Sequence, residues 1–187
     1  MCSCQKRNLN GLLQKEPVVS MSISMSMPAN AVETWGPIMW KMMHIVGANI
    51  GRRSMLNDAK ASTQIKYIVD KLPQVIPCPD CQNHAKNYIQ ANPFNPVGRL
   101  QGDLALYVST YLFEFHNAVR QSKGQPILVN TVAAYQALYQ NQSITVLDDR
   151  TLATYFRLAT KYQIIRGEEY VRWVEMLRGL RTRLSLK

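Results

Sequence analysis

The sequence contains no apolar run long enough to cross a bilayer, and it has only four cysteines among its 187 residues. A membrane-spanning helix needs about 20 predominantly apolar residues, and a small scaffold held together by disulfides needs more cysteines than these. No stretch alternates apolar and polar residues in the way of a half-buried strand, and no segment is repeated. These shortages exclude a spanning helix, a disulfide scaffold and a repeat protein, and they favour an all-α globular fold.

Acidic residues are also scarce, since the sequence contains 12 Asp and Glu but 22 Lys and Arg, which gives a net charge of +10. Half of this excess lies at the end of the chain, where residues 157–187 contain eight Lys or Arg and three Asp or Glu. A solvated helix face is the favoured interpretation of this basic segment. Docking to an acidic or assembly partner, nucleic acid or a membrane surface stays open, because charge alone does not distinguish them.

Residues 1–30 lack helical periodicity and are predicted to form a flexible arm that carries the pair Cys2-Ser3-Cys4. This segment has one feature of a secretory signal, because Ala29-Asn30-Ala31 has the pattern of a cleavage site. Serine interrupts the apolar stretch 18–27 at every second residue, which makes a poor signal core. The sequence therefore predicts a polar tether and gives no convincing signal peptide.

Helical spacing of apolar residues begins after Thr34, which is predicted to cap the first helix. A second helix is expected from Asp58, with prolines at positions 73 and 77 closing that region, and a third from the cysteine pair near position 80. A long fourth helix follows over residues 104–115, and helical tendency continues over 131–139. After a polar break at 141–149, apolar residues including Trp173 recur at helical spacing and must bury against the bundle or a partner.

The motif Cys78-Pro79-Asp80-Cys81 carries the most chemical information. Pro79 suits the first turn of a helix, and a helix N-terminus lowers the pKa of a thiol there, as a redox cysteine pair requires. A thioredoxin-like unit is disfavoured, because no strand precedes the motif. A zinc site remains an alternative, since His84 adds a third ligand and His44, His116 or the Cys2/Cys4 pair would complete a tetrahedron.

Two further motifs bracket the cysteine pair. Upstream, Trp40 and His44 are four residues apart and share a helical face. Downstream, His116 and Asn117 end the fourth helix. Each residue alone has a simple structural explanation, but together they can stack on a purine and hydrogen-bond to a ribose and pyrophosphate.

The order W-x-x-x-H, CxxC, HN-x-V and G-x-P over residues 35–126 resembles the Erv/ALR family of FAD-dependent sulfhydryl oxidases. The resemblance implies a four-helix bundle with a short fifth helix over residues 31–140, bound FAD and a homodimer, with residues 141–187 as an added basic helical extension. The histidine three residues after the CxxC resembles compact relatives from large DNA viruses, which implies a location in the host cytoplasm or the virion. The implied cofactor-binding residues are Gly36, Trp40, His44, His84, His116, Asn117, Val119, Arg120 and Lys123, with no metal ligand.

The resemblance also implies a path for electrons. Cys78 would exchange with an outside dithiol and Cys81 would face the flavin, while Cys2 and Cys4 would act as a shuttle from dithiol-containing protein substrates. FAD would then reduce molecular oxygen to H₂O₂.

The chain departs from the family pattern at three positions. Arg120 and Gln125 replace an asparagine and a lysine near the end of the pattern, and Ala48 stands where a tyrosine is common. These changes motivate a second hypothesis, a flavin-poor scaffold protein of a virion that keeps the fold. A zinc-stabilised binding module is the third.

Overall fold

The structure is a computed structural model that describes residues 29–53 and 58–186. These residues form seven helices and no strand: α1 (Ala29–Asn49), α2 (Asp58–Val75), α3 (Pro79–Ala91), α4 (Gln101–Ser122), α5 (Val132–Tyr139), α6 (Val146–Lys161) and α7 (Gly167–Arg183). The predicted all-α fold is confirmed, with α1 to α4 as the bundle and α5 as the short fifth helix. Across the described residues, no helix has the length and apolar content needed to span a membrane.

Helix α1 lies at the centre of the molecule and packs against α4, α5 and α6. Its side chains from Met42 to Asn49 are buried, as the dense apolar pattern of this segment predicts. The predicted cap at Thr34 is wrong, because α1 begins at Ala29. The segment ahead of Thr34 contains good helix formers such as Ala31 and Glu33, so nothing stops the helix at the predicted boundary.

The turn after α1 brings the backbone close to the start of α4. Gly51 has φ +74°, and a Cβ at this position would lie 2.1 Å from the carbonyl oxygen of Gln101. Only glycine accommodates both the positive φ and this close approach.

Helix α2 begins at Asp58 as expected, but it continues through Pro73 to Val75. The prediction that Pro73 closes the region is therefore wrong. Proline removes one backbone donor near the C-terminal end of the helix, and burial of Leu72, Val75 and Ile76 in the core keeps the final turn helical.

Helix α3 starts where the sequence predicts. Cys78 is its N-cap with extended backbone angles (φ −153°, ψ 113°), Pro79 occupies the first helical position, and the Cys78 Sγ accepts the backbone N–H of Cys81 at 3.3 Å. The cysteine pair thus lies at the positive end of a helix dipole.

The C-terminal helices are part of the core. Helix α6 begins with a capping box in which Thr145 and Asp148 each accept the other's backbone N–H. Helix α7 packs along α2, where Trp173 is 1% exposed and its Nε1–H donates to the Ile68 carbonyl at 2.9 Å. The apolar stripe predicted for this segment therefore buries against the bundle.

Candidate functional site

A cavity of about 880 Å³ opens between α1, the N-terminal end of α3, the C-terminal half of α4 and α5. This volume falls within the range of roughly 300–1,000 Å³ that is typical of ligand pockets. Its wall includes Pro37, Trp40, Lys41, Cys81, His84, His116, Val119, Arg120, Lys123, Gln125, Leu128, Tyr139 and Gln142. The cavity therefore brings together all three motifs that the sequence places far apart.

Flat rings form one wall of the cavity. The Trp40 and His116 rings stack at a centroid separation of 4.3 Å with an angle of 5° between their planes. The ring of Phe115 meets Trp40 edge-on at 5.2 Å and holds it in place. Because α1 and α4 pack side by side, residues 76 positions apart in the sequence form a single stacking platform.

Behind this platform lies a chain of hydrogen-bonding rings. His44 Nε2 is 2.6 Å from Nδ1 of His116, and His44 Nδ1 is 2.6 Å from the hydroxyl of Tyr135 on α5. Burial lowers the pKa of His44 well below its ordinary value, and it lowers the pKa of His116 to about 4, with Arg120 and Lys123 acting in the same direction. Both histidines are therefore neutral at pH 7.

Three cationic side chains line the cavity, namely Lys41, Arg120 and Lys123. The Lys41 Nζ pairs with Asp148 at 2.7 Å, which ties the start of α6 to α1. The Arg120 Nε donates to the Pro126 carbonyl, so that the arginine is held against the loop after α4. The result is a cavity with an electropositive rim.

Both residues of the cysteine pair are half-buried and present as free thiols. Cys81 lines the cavity. The pKa of Cys78 is lowered to about 6 by a hydrogen bond from the Cys81 thiol, by the Cys81 backbone N–H and by the charge of Lys123. The pKa of Cys81 is raised, because its thiol donates its proton to Cys78 and because it is partly buried. In the reduced pair, Cys78 therefore carries the negative charge and Cys81 keeps its proton.

The predicted cofactor-binding residues divide into two groups. Gly36, Trp40, His84, His116, Val119, Arg120 and Lys123 line the cavity. His44 is fully buried behind them, and Asn117 uses its Oδ1 to accept the backbone N–H of Leu128 at 3.0 Å. Asn117 therefore fixes the loop between α4 and α5, which places Leu128 on the cavity wall. Cys2 and Cys4 fall outside the described residues.

Sequence reasoning missed three residues of the site: Lys41 and Tyr139, which line the cavity, and Tyr135, which bonds to His44. Lys41 adjoins Trp40 in sequence, and Tyr139 is one helical turn after Tyr135 on α5, with the two rings 5.3 Å apart. The spacing of four residues between two tyrosines places both on one helical face, and this was the available signal.

The zinc hypothesis finds no site in residues 29–53 and 58–186. Within these ranges no group of three His, Cys, Asp or Glu side chains is arranged to hold a metal ion. His84 is exposed and lines the cavity, while His44 and His116 bond to each other.

The model of the Erv1 / Alr family matches residues 37–140, which is more than half of the chain. The chain is 29% identical over 107 residues to "Putative FAD-linked sulfhydryl oxidase 347L" of Invertebrate iridescent virus 6, covering 53% of this chain and 87% of that relative. It is 29% identical over 94 residues to "Putative FAD-linked sulfhydryl oxidase 096R" of Invertebrate iridescent virus 3, covering 50% of this chain and 59% of the relative. It is 26% identical over 95 residues to "FAD-linked sulfhydryl oxidase ERV1" of Oryza sativa subsp. japonica, covering 51% of this chain and 44% of the relative.

No solved structure gives a significant match to the chain. The family match ends at residue 140, so Gln142 on the cavity wall and helices α6 and α7 lie beyond it. The matched segment contains the stacking platform, the cysteine pair and the basic rim. The chain belongs to the Erv1/Alr family, and this confirms the resemblance inferred from its motifs.

Proposed function

We propose that this protein is an FAD-linked thiol oxidase that forms disulfides in dithiol-containing protein substrates. The observation that carries the proposal is the position of Cys81, on the wall of a cavity that also holds a flat aromatic platform and a basic rim. A redox-active cysteine beside a site for a flat, anionic cofactor is the arrangement that this chemistry needs.

The residues of the cavity fit FAD. The Trp40–His116 pair offers a planar surface to an aromatic ring system, and Arg120 and Lys123 offer positive charge to a pyrophosphate, whereas the charge of Lys41 is paired with Asp148. Arg120 and Gln125, two of the three departures from the family pattern, both line the cavity. Arg120 adds a positive charge that asparagine lacks, and Gln125 lacks the charge of the lysine that it replaces. The two changes together therefore leave the number of cations on the cavity wall the same as in the family pattern.

The chemistry of the cysteine pair is a thiol–disulfide exchange. A substrate thiolate attacks the Sγ of Cys78 in the oxidised pair, the Cys78–Cys81 bond breaks, and the electron pair leaves on the Cys81 sulfur. The second substrate thiolate then attacks the mixed disulfide and releases Cys78, so that the substrate gains one disulfide and the enzyme holds two thiols. FAD held in the cavity would supply the two-electron acceptor for the reduced pair, with O₂ as the final acceptor and H₂O₂ as the product.

The roles of the two cysteines follow from their surroundings. Cys78 is the interchange thiol, because it caps α3 outside the residues that line the cavity and its low pKa makes it a good leaving group when the substrate is released. Cys81 faces the cofactor. Cys2 and Cys4 form the shuttle pair that passes electrons from large substrates to this site.

The remaining parts of the proposal concern assembly and place of action. The viral names of two relatives and the family match support action on assembling viral proteins, in the host cytoplasm or the virion. We include the homodimer in the proposal, and an acidic assembly partner for the exposed cations of α7.

Peroxide release driven by dithiothreitol tests the proposal. Wild-type protein is expected to turn over, while Cys78→Ser and Cys81→Ser are expected to lose at least about 100-fold of the activity, because each removes one half of the exchange. The matched control is Cys2→Ser/Cys4→Ser, which keeps activity with dithiothreitol and is slower with a reduced protein substrate. Full activity in Cys81→Ser would refute the mechanism, and colourless wild-type protein would favour the scaffold hypothesis.

A further inference from the structure

The chain of rings behind the stacking platform includes a residue to which the proposed mechanism gives no task. Tyr135 on α5 is fully buried, and its hydroxyl lies 2.6 Å from Nδ1 of His44. His44 is itself fully buried and bonds through Nε2 to Nδ1 of His116, which lines the cavity. A continuous path of two hydrogen bonds therefore links a buried phenol to the cavity wall.

The protons along this path can be assigned from the number of donors. A neutral imidazole has one N–H donor and one acceptor nitrogen. Both histidines are neutral, and burial raises the pKa of Tyr135, which therefore keeps its proton. The three rings thus carry three exchangeable protons, and the two hydrogen bonds between them can run from donor to acceptor in only two directions.

In the first direction, the Tyr135 hydroxyl donates to Nδ1 of His44, and Nε2–H of His44 donates to Nδ1 of His116. In the reverse direction, the Tyr135 hydroxyl would accept from His44 and turn its own proton toward the side chains packed around it. Those neighbours include the rings of Phe113 and Tyr139, and Gly47, where a Cβ would lie 3.5 Å from the hydroxyl. The described residues offer no acceptor for that proton, and a buried donor without an acceptor is costly.

We infer that Tyr135 is a positioning residue that fixes the tautomers of His44 and His116, so that His116 presents Nε2–H as a hydrogen-bond donor to the cavity. The side of the ligand that faces His116 must then carry an acceptor, such as a ring nitrogen, a carbonyl oxygen or a phosphate oxygen. That this ligand is FAD rests on the proposed function, whereas the tautomers are a property of the protein alone.

The arrangement also explains why two histidines can stack against a tryptophan without charge. A protonated His116 would lose its acceptor nitrogen, so its bond to His44 could form only in the reverse direction, which leaves the Tyr135 proton without an acceptor. The tyrosine, by donating at the far end, keeps every ring nitrogen in the buried part of the chain bonded.

Nitrogen-15 spectra of the histidine rings in the cofactor-free full chain test the inference directly. The chain has three histidines, so the spectrum is simple, and exposed His84 serves as an internal reference. Wild-type protein at pH 7 is expected to show the Nε2–H tautomer for both His44 and His116. Tyr135→Phe should leave His44 as a mixture of tautomers, because its Nδ1 has lost the donor. The matched control is Tyr139→Phe, since Tyr139 packs 4.8 Å from the His44 ring without a hydrogen bond to it and should leave both tautomers unchanged.

A fluorescence titration with FAD gives a second readout. Tyr135→Phe is expected to weaken FAD binding by about 2- to 10-fold, the range for one hydrogen bond that is no longer held in place. A wild-type spectrum with Nδ1–H on His116, or unchanged tautomers in Tyr135→Phe, would overturn the inference. If Tyr135→Phe does not fold, the wild-type spectrum alone decides. Correct tautomers in a wild-type protein that does not bind FAD would instead overturn the proposed function and leave the role of Tyr135 intact.

Discussion

The low pKa of Cys78 makes the sharpest quantitative prediction, because its first cause is a single hydrogen bond. The Cys81 thiol donates to Cys78, and this bond is the largest of the causes whose net effect lowers the pKa of Cys78 from 9.0 to about 6; the Cys81 backbone N–H and Lys123 also lower it, while burial and Asp80 raise it. Cys81→Ala removes this donor and should return the Cys78 pKa toward 9.0. Cys81→Ser replaces S–H by O–H, keeps a donor in the same place and should keep the pKa low.

The size of the effect on reactivity follows from two opposing factors. At pH 7 a thiol with a pKa of about 6 is about 90% thiolate, and one with a pKa of 9.0 is about 1% thiolate. The intrinsic nucleophilicity of the low-pKa thiolate is smaller, by about 15- to 30-fold for a Brønsted coefficient of about 0.4–0.5. Cys78 should therefore react about 3- to 6-fold faster in the Cys81→Ser protein than in the Cys81→Ala protein at pH 7. Above about pH 8 the order should reverse, because the thiol with a pKa of 9.0 is by then ionised enough for its greater nucleophilicity to dominate.

The assay is alkylation of the reduced protein by iodoacetamide as a function of pH, followed by mass spectrometry. Both variants carry Cys2→Ser and Cys4→Ser, so that Cys78 is the single remaining thiol. The midpoint of the rate profile should lie near pH 6 for Cys81→Ser and shift toward pH 9 for Cys81→Ala. Equal midpoints in the two variants, or a midpoint near 9 in both, would refute the hydrogen bond as the cause.

Two further predictions concern stability. Trp173→Ala should lower the free energy of unfolding in urea by about 3–5 kcal/mol, because it leaves a cavity between α7 and α2. Val171→Ala, at a position that is 54% exposed, should change this free energy by less than about 0.5 kcal/mol. Equal effects of the two substitutions would contradict the packing of α7. The cofactor-free protein should lose stability as the pH falls below 6.5, because the folded-state pKa of His116, about 4, lies below the unfolded value of 6.5 and the unfolded chain binds the proton first. The contribution of His116 to the free energy of unfolding is complete above pH 6.5 and falls by about 2 kcal/mol by pH 5. In urea unfolding, His116→Gln should therefore reduce the dependence of this free energy on pH. An unchanged dependence on pH would contradict the prediction.

Sequence reasoning placed those helices whose ends and buried faces are determined by residues close together in the sequence. Pro79 at the first helical position and the apolar stripe of α4 correctly placed both helices. The start of α6 at Val146 was missed, although Thr145 and Asp148 have the spacing of a capping box. The surrounding polar residues hid that signal and suggested a break.

The composition of the cavity depended on tertiary packing, and here sequence reasoning was only partly successful. Trp40 and His116 were expected near one another, but nothing local distinguishes a histidine on the cavity wall from His44, which lies one layer behind it. Asn117 was assigned to the cofactor because it follows His116 in the motif. The helix turns its side chain toward the loop, where it bonds to Leu128. The contribution of Tyr135 depends on how α5 packs against α1, which no motif records.

The visible absorption of the purified protein under anaerobic conditions tests the central claim most directly. The account predicts a yellow protein with about one flavin per chain, bleached by dithiothreitol in the wild type and unbleached in Cys81→Ser, since electrons reach the cofactor through that thiol. Readmitting air should restore the colour and release peroxide. A well-folded wild-type protein that is colourless and takes up no FAD, or that keeps its colour in excess dithiothreitol, would contradict the account.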